Sequence, residues 1–247
     1  MDLGSRTYLF SLHRGDHTPG GHDSGPPATK RMTTDTARTG TRLQSVPRRL
    51  ACGETWTGND RVASLVELPG MVAWVQSLPA GSGEAGGDVH YVSVCPSCLV
   101  CRIALADVSG HGQGVAALGE KLRELMRRHL RSLEQVGLMR DLNQMVRAEL
   151  EGVHYATMVA VGWHGRQGLL VLTNAGHPPP CRYRAARHEW SWLENRAVGQ
   201  PDRRAGLPLG LLADVQYDRT VLKPQFGDLV VLFTDGASEA TNPHGDE

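Results

Sequence analysis

The sequence predicts a segregated α+β domain, and three observations carry that prediction. Strand-like segments come first, two amphipathic helical segments follow one another, and strand-like segments then resume. Strands and helices in separate runs give antiparallel sheets with helices packed on a face, whereas parallel crossovers need alternation. Secondly, tight-turn dipeptides such as Pro69-Gly70 and Pro96-Ser97 split the strand-like stretches into hairpins. Thirdly, apolar runs end abruptly in an acid beside small residues. Ile103-Ala104-Leu105-Ala106 gives way to Asp107, and Val230-Val231-Leu232-Phe233-Thr234 gives way to Asp235-Gly236.

Composition limits the function classes. The 247 residues allow one large domain or two small ones, and 40% apolar residues suffice for a core. Lys plus Arg equals Asp plus Glu at 26 each, so no basic field points to a nucleic-acid partner. No apolar run approaches the roughly 18–20 residues of a membrane span. Arg14, Asp16 and His17 interrupt any leader-like start. The expected location is cytoplasmic. Five cysteines, an odd number in a chain of this size, argue against a secreted disulfide framework. Cys95, Cys98 and Cys101 have a metal-like spacing, but no second CxxC pair completes a zinc site. They read as hairpin cysteines, with a metal or redox role as the alternative.

Residues 1–49 read as a disordered, basic and polar tail, being rich in Gly, Pro, Ser, Thr and Arg with little apolar periodicity. The domain then spans residues 50–247. Arg61 to Leu68 and Met71 to Leu78 read as paired strands. Pro79 to Gly87 is a Gly-rich loop ending at Asp88, followed by the strands Val89 to Cys95 and Leu99 to Ala106. Antiparallel pairing sets the start of one strand beside the end of the other, so Asp88 and Asp107 are expected to be spatial neighbours. From Gln113 to Leu133, Val115, Leu118, Leu122, Leu125, Met126, Leu130 and Leu133 form one helical stripe. Leu138, Leu142, Met145, Val146 and Leu150 form a second, with Gly152 as a stop. Tyr155 to Trp163 and Leu169 to Asn174 are strands around Gly165 to Gly168. Proline ends regular pairing in Ala175-Gly176-His177-Pro178-Pro179-Pro180. Arg182 to Arg184 and Glu189 to Leu193 read as short strands. Tyr217 to Leu222 and Asp228 to Thr234 read as a last hairpin around Pro224 to Gly227.

Asp88, Asp107 and Asp235 are the chemical candidates. Hard oxygen ligands suit Mg²⁺ or Mn²⁺, and a pair of such ions can clamp a phosphoryl group. Gly86-Gly87, Gly110, Gly112 and Gly236 would let backbone approach a metal or a phosphate. His111 and His177 could act as general acids or could order their loops through hydrogen bonds.

Five ordered motifs then carry a family resemblance. They are Gly86-Gly87-Asp88; Ala106-Asp107-Val108-Ser109-Gly110-His111-Gly112; Asn174-Ala175-Gly176-His177-Pro178-Pro179; Pro208-Leu209-Gly210; and Gly227-Asp228 leading to Thr234-Asp235-Gly236 with Glu239. From about Val72 to Glu247 the chain resembles the SpoIIE/RsbU-type serine phosphatases of the metal-dependent, PP2C-like PPM superfamily. The resemblance implies a four-layer α-β-β-α sandwich with two Mn²⁺ or Mg²⁺ ions at one end. It implies that Asp107 bridges the ions, that the Val108 carbonyl and Asp235 are ligands, and that Asp88 contributes directly or through water. It places Gly110, Gly112, His111 and His177 in motifs at the substrate side. The implied reaction is hydrolysis of phosphoserine or phosphothreonine on a protein, without a phosphoenzyme; anti-sigma-factor antagonists are frequent family substrates. Dimerisation is possible. Two departures stand out. Tyr91 replaces the second acid of the first motif, and Glu247 is reached before the family's final helix and acid-bearing strand. The expected domain is therefore C-terminally incomplete, and a catalytically weak or inactive pseudophosphatase acting as a binding module is the rival reading.

Overall fold

The computed structural model of the chain describes residues 7–12, 48–78, 85–109, 115–129, 134–149, 154–193 and 206–238. Its elements in order are strands β1 (Thr7–Leu12), β2 (Arg48–Arg49), β3 (Thr55–Asp60), β4 (Val62–Leu68), β5 (Met71–Ser77), β6 (Ala85–Val94) and β7 (Val100–Val108); helices α1 (Val115–His129) and α2 (Gln135–Glu149); strands β8 (Ala156–His164), β9 (Leu169–Ala175), β10 (Cys181–Arg184), β11 (Glu189–Trp192), β12 (Thr220–Leu222) and β13 (Leu229–Phe233); and a short helix α3 (Asp235–Ser238). They form two sheets. The first runs β11-β10-β13-β1-β5-β4-β2 and the second β12-β9-β8-β7-β6-β3. The segregated α+β class is what the structure has, and α1 and α2 stack on the second sheet.

Side-chain parity sorts the core into two layers, because successive residues of a strand face opposite sides. Val92, Val94, Cys101, Ile103, Leu105, Val159, Val161, Leu170 and Leu172 of the second sheet meet Val66, Ala73, Val75, Val230 and Leu232 of the first. The intervening residues Val89, Tyr91, Ala104, Ala106, Val108, Ala156, Met158 and Ala160 face Leu122, Leu125, Met126, Leu138, Met139, Leu142 and Val146 of the two helices. Burial on both faces explains why β7 reads as an almost unbroken apolar run.

Two turns of helix sequence have local reasons. Glu134 caps α2, its carboxylate accepting the backbone N–H groups of Val136 and Gly137. Buried Gln135 then donates to the carbonyls of Ala160 and Val171 at 2.9 and 3.1 Å, fastening the helix start to β8 and β9. On α1, a Cβ at Gly119 would lie 2.7 Å from the Gly86 carbonyl oxygen and 3.0 Å from that of Gly87. Helix and strand backbones are in contact here, so Gly86-Gly87 has a packing use beside any role towards a ligand. Gly119→Ala is expected to destabilise by about 1–3 kcal/mol through overpacking, exceeding the roughly 1 kcal/mol that alanine gains as a helix former. A urea midpoint equal to or above that of the parent would contradict this.

Three expectations need correction. Thr7–Leu12 lies within the stretch 1–49 expected to be disordered, yet it forms β1, antiparallel to both β5 and β13. The run Thr-Tyr-Leu-Phe-Ser-Leu has strand-forming residues, and the polar bulk of the following sequence masks it. Arg48–Arg49 likewise forms β2, parallel to β4. β3 was not anticipated, since Trp56-Thr57-Gly58-Asn59 does not alternate cleanly. The last expected hairpin is not one. β12 pairs with β9 in the second sheet while β13 joins the first. Pro224 to Gly227 therefore crosses from one sheet to the other.

Candidate active site

The β6–β7 ladder runs out to Val89 opposite Ala106. Both strands continue by at least one further residue, which sets Asp88 opposite Asp107. Opposed residues have Cβ atoms about 4.5–5.5 Å apart. By parity both face the space between the sheets, as Val92 and Leu105 do further along. On the other side of β7, Asp107 pairs with Thr157 of β8. From the first sheet, the Thr234 hydroxyl at the end of β13 donates to Asp88 Oδ2 at 3.2 Å. Four polar residues, three on strands and Thr234 just past the end of β13, thus lie at one end of the inter-sheet layer. Asp235 follows immediately, exposed, as the first residue of α3.

The loop after β7 is tied down at its start. Ser109 N–H donates to the Tyr155 carbonyl at 2.8 Å. Its hydroxyl accepts from Tyr155 N–H at 3.0 Å. Val108 packs its side chain into the helix-facing core, so its backbone is what it can offer to a ligand. Gly110, His111, Gly112 and Glu239 lie outside the described residues.

His177 is 3% exposed. Asn174 brackets it, its Oδ1 accepting from His177 N–H and its Nδ2 donating to the His177 carbonyl, both at 2.8 Å. Gly176 makes the turn with φ +69°, and a Cβ there would strike Pro208 at 2.6 Å. The imidazole Nδ1 is 2.8 Å from Thr157 Oγ1. Burial pushes the ring's pKa down to about 3, and the Phe233 backbone only partly opposes this. His177 is therefore neutral at physiological pH and sits between Thr157 of one sheet and the end of β13 of the other. The Asn174 and Thr157 contributions were absent from the sequence reading. Asn three residues before His at a strand end was a readable turn signal, but the Thr157 register depends on strands separated by two helices.

The motif Pro208-Leu209-Gly210 is held from α2. Leu209 exchanges both backbone hydrogen bonds with Ala156. Fully buried Asn143 accepts from Gly210 N–H at 2.8 Å and donates to the carbonyls of Leu212 and Ala213. Gly210 has φ +86°, and Val146 Cγ1 would lie 2.8 Å from an added Cβ. Asp228, in the remaining motif, is also a fastening. It accepts from Arg182 at 2.6 Å, Gln225 N–H at 3.1 Å and Ala185 N–H at 3.0 Å. These bonds tie the β10–β11 hairpin to the start of β13.

Cys95, Cys98 and Cys101 lie at the opposite end of the β6–β7 hairpin. Cys98, at φ 55°, forms a disulfide with Cys52. Cys95 Sγ accepts the N–H groups of Leu99 and Val100 at 3.2 Å each. Cys101 is buried in the inter-sheet core, which pushes its thiol up to about 12. The pairing of Cys98 differs from the expected run of simple hairpin cysteines and leaves the Cys95, Cys98, Cys101 trio without a common ligand site.

Among the described residues no three His, Cys, Asp or Glu side chains gather into a metal-holding group. The donor chemistry of the Asp88–Asp107 pair nevertheless fits a hard divalent cation, since two carboxylates stand side by side with the Thr234 hydroxyl on one of them. Asp235 is one residue from the Thr234–Asp88 hydrogen bond. No described helix is long and apolar enough to cross a membrane.

The comparisons with known proteins agree with this architecture. The chain is 26% identical over 174 residues to the phosphoserine phosphatase RsbU of Bacillus subtilis, a match covering 68% of this chain and 47% of that protein. It is 24% identical over 173 residues to the phosphoserine phosphatase RsbP of the same organism, covering 68% and 40%. The chain thus spans about half or less of these curated relatives. The fold matches the PP2C phosphatase domain of Bacillus subtilis SpoIIE with a TM-score of 0.52 at 15% identity, covering 72% of this chain and 55% of the other. It matches the RsbU and RsbW domains of a Mycobacterium tuberculosis protein with a TM-score of 0.53 at 19% identity, covering 77% and 46%. The fold is therefore the PP2C-like sandwich. The model of the family described as Stage II sporulation protein E (SpoIIE) matches residues 100–247. With more than half of its residues inside that match, the chain belongs to the SpoIIE family of PP2C-like phosphatase domains.

Proposed function

We propose that this chain is a Mn²⁺- or Mg²⁺-dependent protein serine/threonine phosphatase domain. The observation that carries the reading is the opposition of Asp88 and Asp107 at one end of the inter-sheet layer, with the Thr234 hydroxyl on Asp88. Its relatives' names, phosphoserine phosphatases both, support the substrate class. A phosphorylated anti-sigma-factor antagonist is the proposed kind of substrate.

Asp88 and Asp107 would hold the cations, with the Val108 carbonyl and Asp235 completing the set. Two divalent cations bound there supply Lewis acidity towards the phosphoryl oxygens and towards the attacking water. The carboxylates balance the cationic charge and fix its position, because β6 and β7 are locked in register beneath them. Neutral, buried His177 keeps that floor rigid without adding a positive charge. Gly110 and Gly112, with His111, are proposed to meet the phosphoprotein. His111 is the candidate proton donor to the leaving serine oxygen.

Phosphate release from a phosphoserine peptide and from p-nitrophenyl phosphate tests this. Turnover is expected with Mn²⁺, is expected to vanish with EDTA, and is expected to return on adding Mn²⁺ in excess. Turnover that persists in EDTA would refute the metal-dependent mechanism. One feature favours the rival of a binding module, namely that Asp235 is exposed rather than gathered with the pair. Calorimetric titration with Mn²⁺ separates the two. Stoichiometric binding supports the phosphatase, and a folded chain that takes up no Mn²⁺ supports the binding module.

A further inference from the structure

We propose that Thr157 is a positioning residue for the Asp107 carboxylate, held in one rotamer by His177, and that this pair sets the cation affinity of the site. The inference rests on the proposed metal-dependent function and assigns a part of it to residues that are not themselves ligands.

Thr157 stands directly across the β7–β8 ladder from Asp107. It faces the inter-sheet space, as Val159 and Val161 do further along the same strand. A threonine hydroxyl on a strand can rotate among staggered positions. Here the 2.8 Å contact to His177 Nδ1 selects one of them. The ring cannot wander to follow another, because Asn174 holds both the N–H and the carbonyl of His177 at 2.8 Å. Pro208 packs against Gly176 from the other side. A hydroxyl has one proton to give and an ionised carboxylate only accepts, so the role requires the neutral ring to carry its proton on Nδ1 and donate to Thr157 Oγ1, which leaves the hydroxyl proton for Asp107.

The alternative is that Thr157 and His177 merely stabilise the sheet. Burying a polar pair beside Val159 and Val161 carries a desolvation cost that a pair of apolar residues would avoid. Its location beside Asp107, and not elsewhere along β8, is what a carboxylate-orienting role requires. Residues that orient ligands from behind typically change metal affinity about 10–100-fold when removed.

The test is calorimetric Mn²⁺ titration of the full 247-residue chain and of its Thr157→Val and Thr157→Ser variants, with near-ultraviolet circular dichroism to confirm folding. Valine keeps the shape and removes the hydroxyl; serine restores it. The expected result is a Kd for Mn²⁺ weakened about 10–100-fold in Thr157→Val and recovered to within about threefold in Thr157→Ser. Valine also leaves the buried His177 Nδ1 without its partner, so the metal-free melting temperature should fall modestly in Thr157→Val and recover in Thr157→Ser, with near-ultraviolet circular dichroism native in both. Parent-like Mn²⁺ affinity in Thr157→Val overturns the inference, as does a serine variant no better than the valine one. A parent chain that binds no Mn²⁺ overturns both this role and the proposed function, which keeps the two failures apart.

Discussion

Asp107→Asn is expected to lower kcat for phosphate release by about a thousandfold, the equivalent of roughly 4 kcal/mol of transition-state stabilisation. The substitution leaves shape and strand pairing intact, because asparagine is nearly isosteric and the β7 ladder to both neighbours is made by backbone. What it removes is a negative charge and one oxygen donor at the position opposed to Asp88 on one side and Thr157 on the other. Cations held by fewer carboxylates bind more weakly and out of place, so kcat and the Mn²⁺ concentration for half-maximal activity should both worsen. Unchanged circular dichroism alongside the lost activity would confine the effect to the site. A drop of less than about tenfold would exclude Asp107 as the central ligand.

Asp228→Asn is expected to destabilise the fold by about 2–4 kcal/mol, read from urea denaturation at pH 7. Asp228 is 2% exposed and accepts three hydrogen bonds, two of them on Oδ2 from Arg182 and Gln225. An amide must turn its NH₂ either towards those two donors or towards the Ala185 N–H, so at least one contact becomes repulsive. It also leaves the half-buried Arg182 cation without its counter-charge.

The same site predicts an acid limb. Burial alone would raise the Asp228 pKa, but the Arg182 and backbone hydrogen bonds outweigh it and hold the carboxyl below its usual 3.8. A carboxyl with a lowered native pKa binds fewer protons folded than unfolded. Its contribution is therefore complete above pH 3.8 and is lost as pH falls through the lower native value. The parent should lose this increment of stability in that window, whereas Asp228→Asn should lack the same increment at every pH. Equal stability differences between the two at pH 7 and pH 2.5 would refute this account.

Much of the fold could be read locally. The stripe through Leu122, Leu125 and Met126 and that through Leu138, Leu142 and Val146 face the core as their spacing implied. Pro69-Gly70 and the Cys95–Leu99 region turn their hairpins where turn chemistry put them, and the first of these uses Gly70 at φ +79°. The opposition of Asp88 and Asp107 followed from one hairpin and its period of two. β1 was missed because six strand-like residues next to a long polar stretch carry little weight in any local window. The last hairpin was misread because two adjacent strands look alike in sequence whether they pair with each other or with different sheets.

Residues whose meaning depends on a distant neighbour were not legible. Thr157, Thr234, Asn143 and Gln135 are ordinary polar residues in sequence. Each acquires its role from partners 20 to 146 positions away: His177, Asp88, the carbonyls after Gly210, and the strands β8 and β9. Asp228 is similar, since Gly-Asp before an apolar run is a common turn, and only the β10–β11 hairpin shows why it carries a charge.

By itself the sequence determined the two long helices and most of the strands from β4 onward, the family to which the motifs point, and the strand ends that bear acids. It could do so because periodicity, turn chemistry and motif order are local properties of the chain. The tertiary structure decided which strands share a sheet, that β1 sits between β5 and β13, that Thr157 with His177 behind it lies across from Asp107, and that Thr234 reaches Asp88. Those relations are set by register and by burial between two sheets, and they exist only once segments far apart in sequence exclude water together.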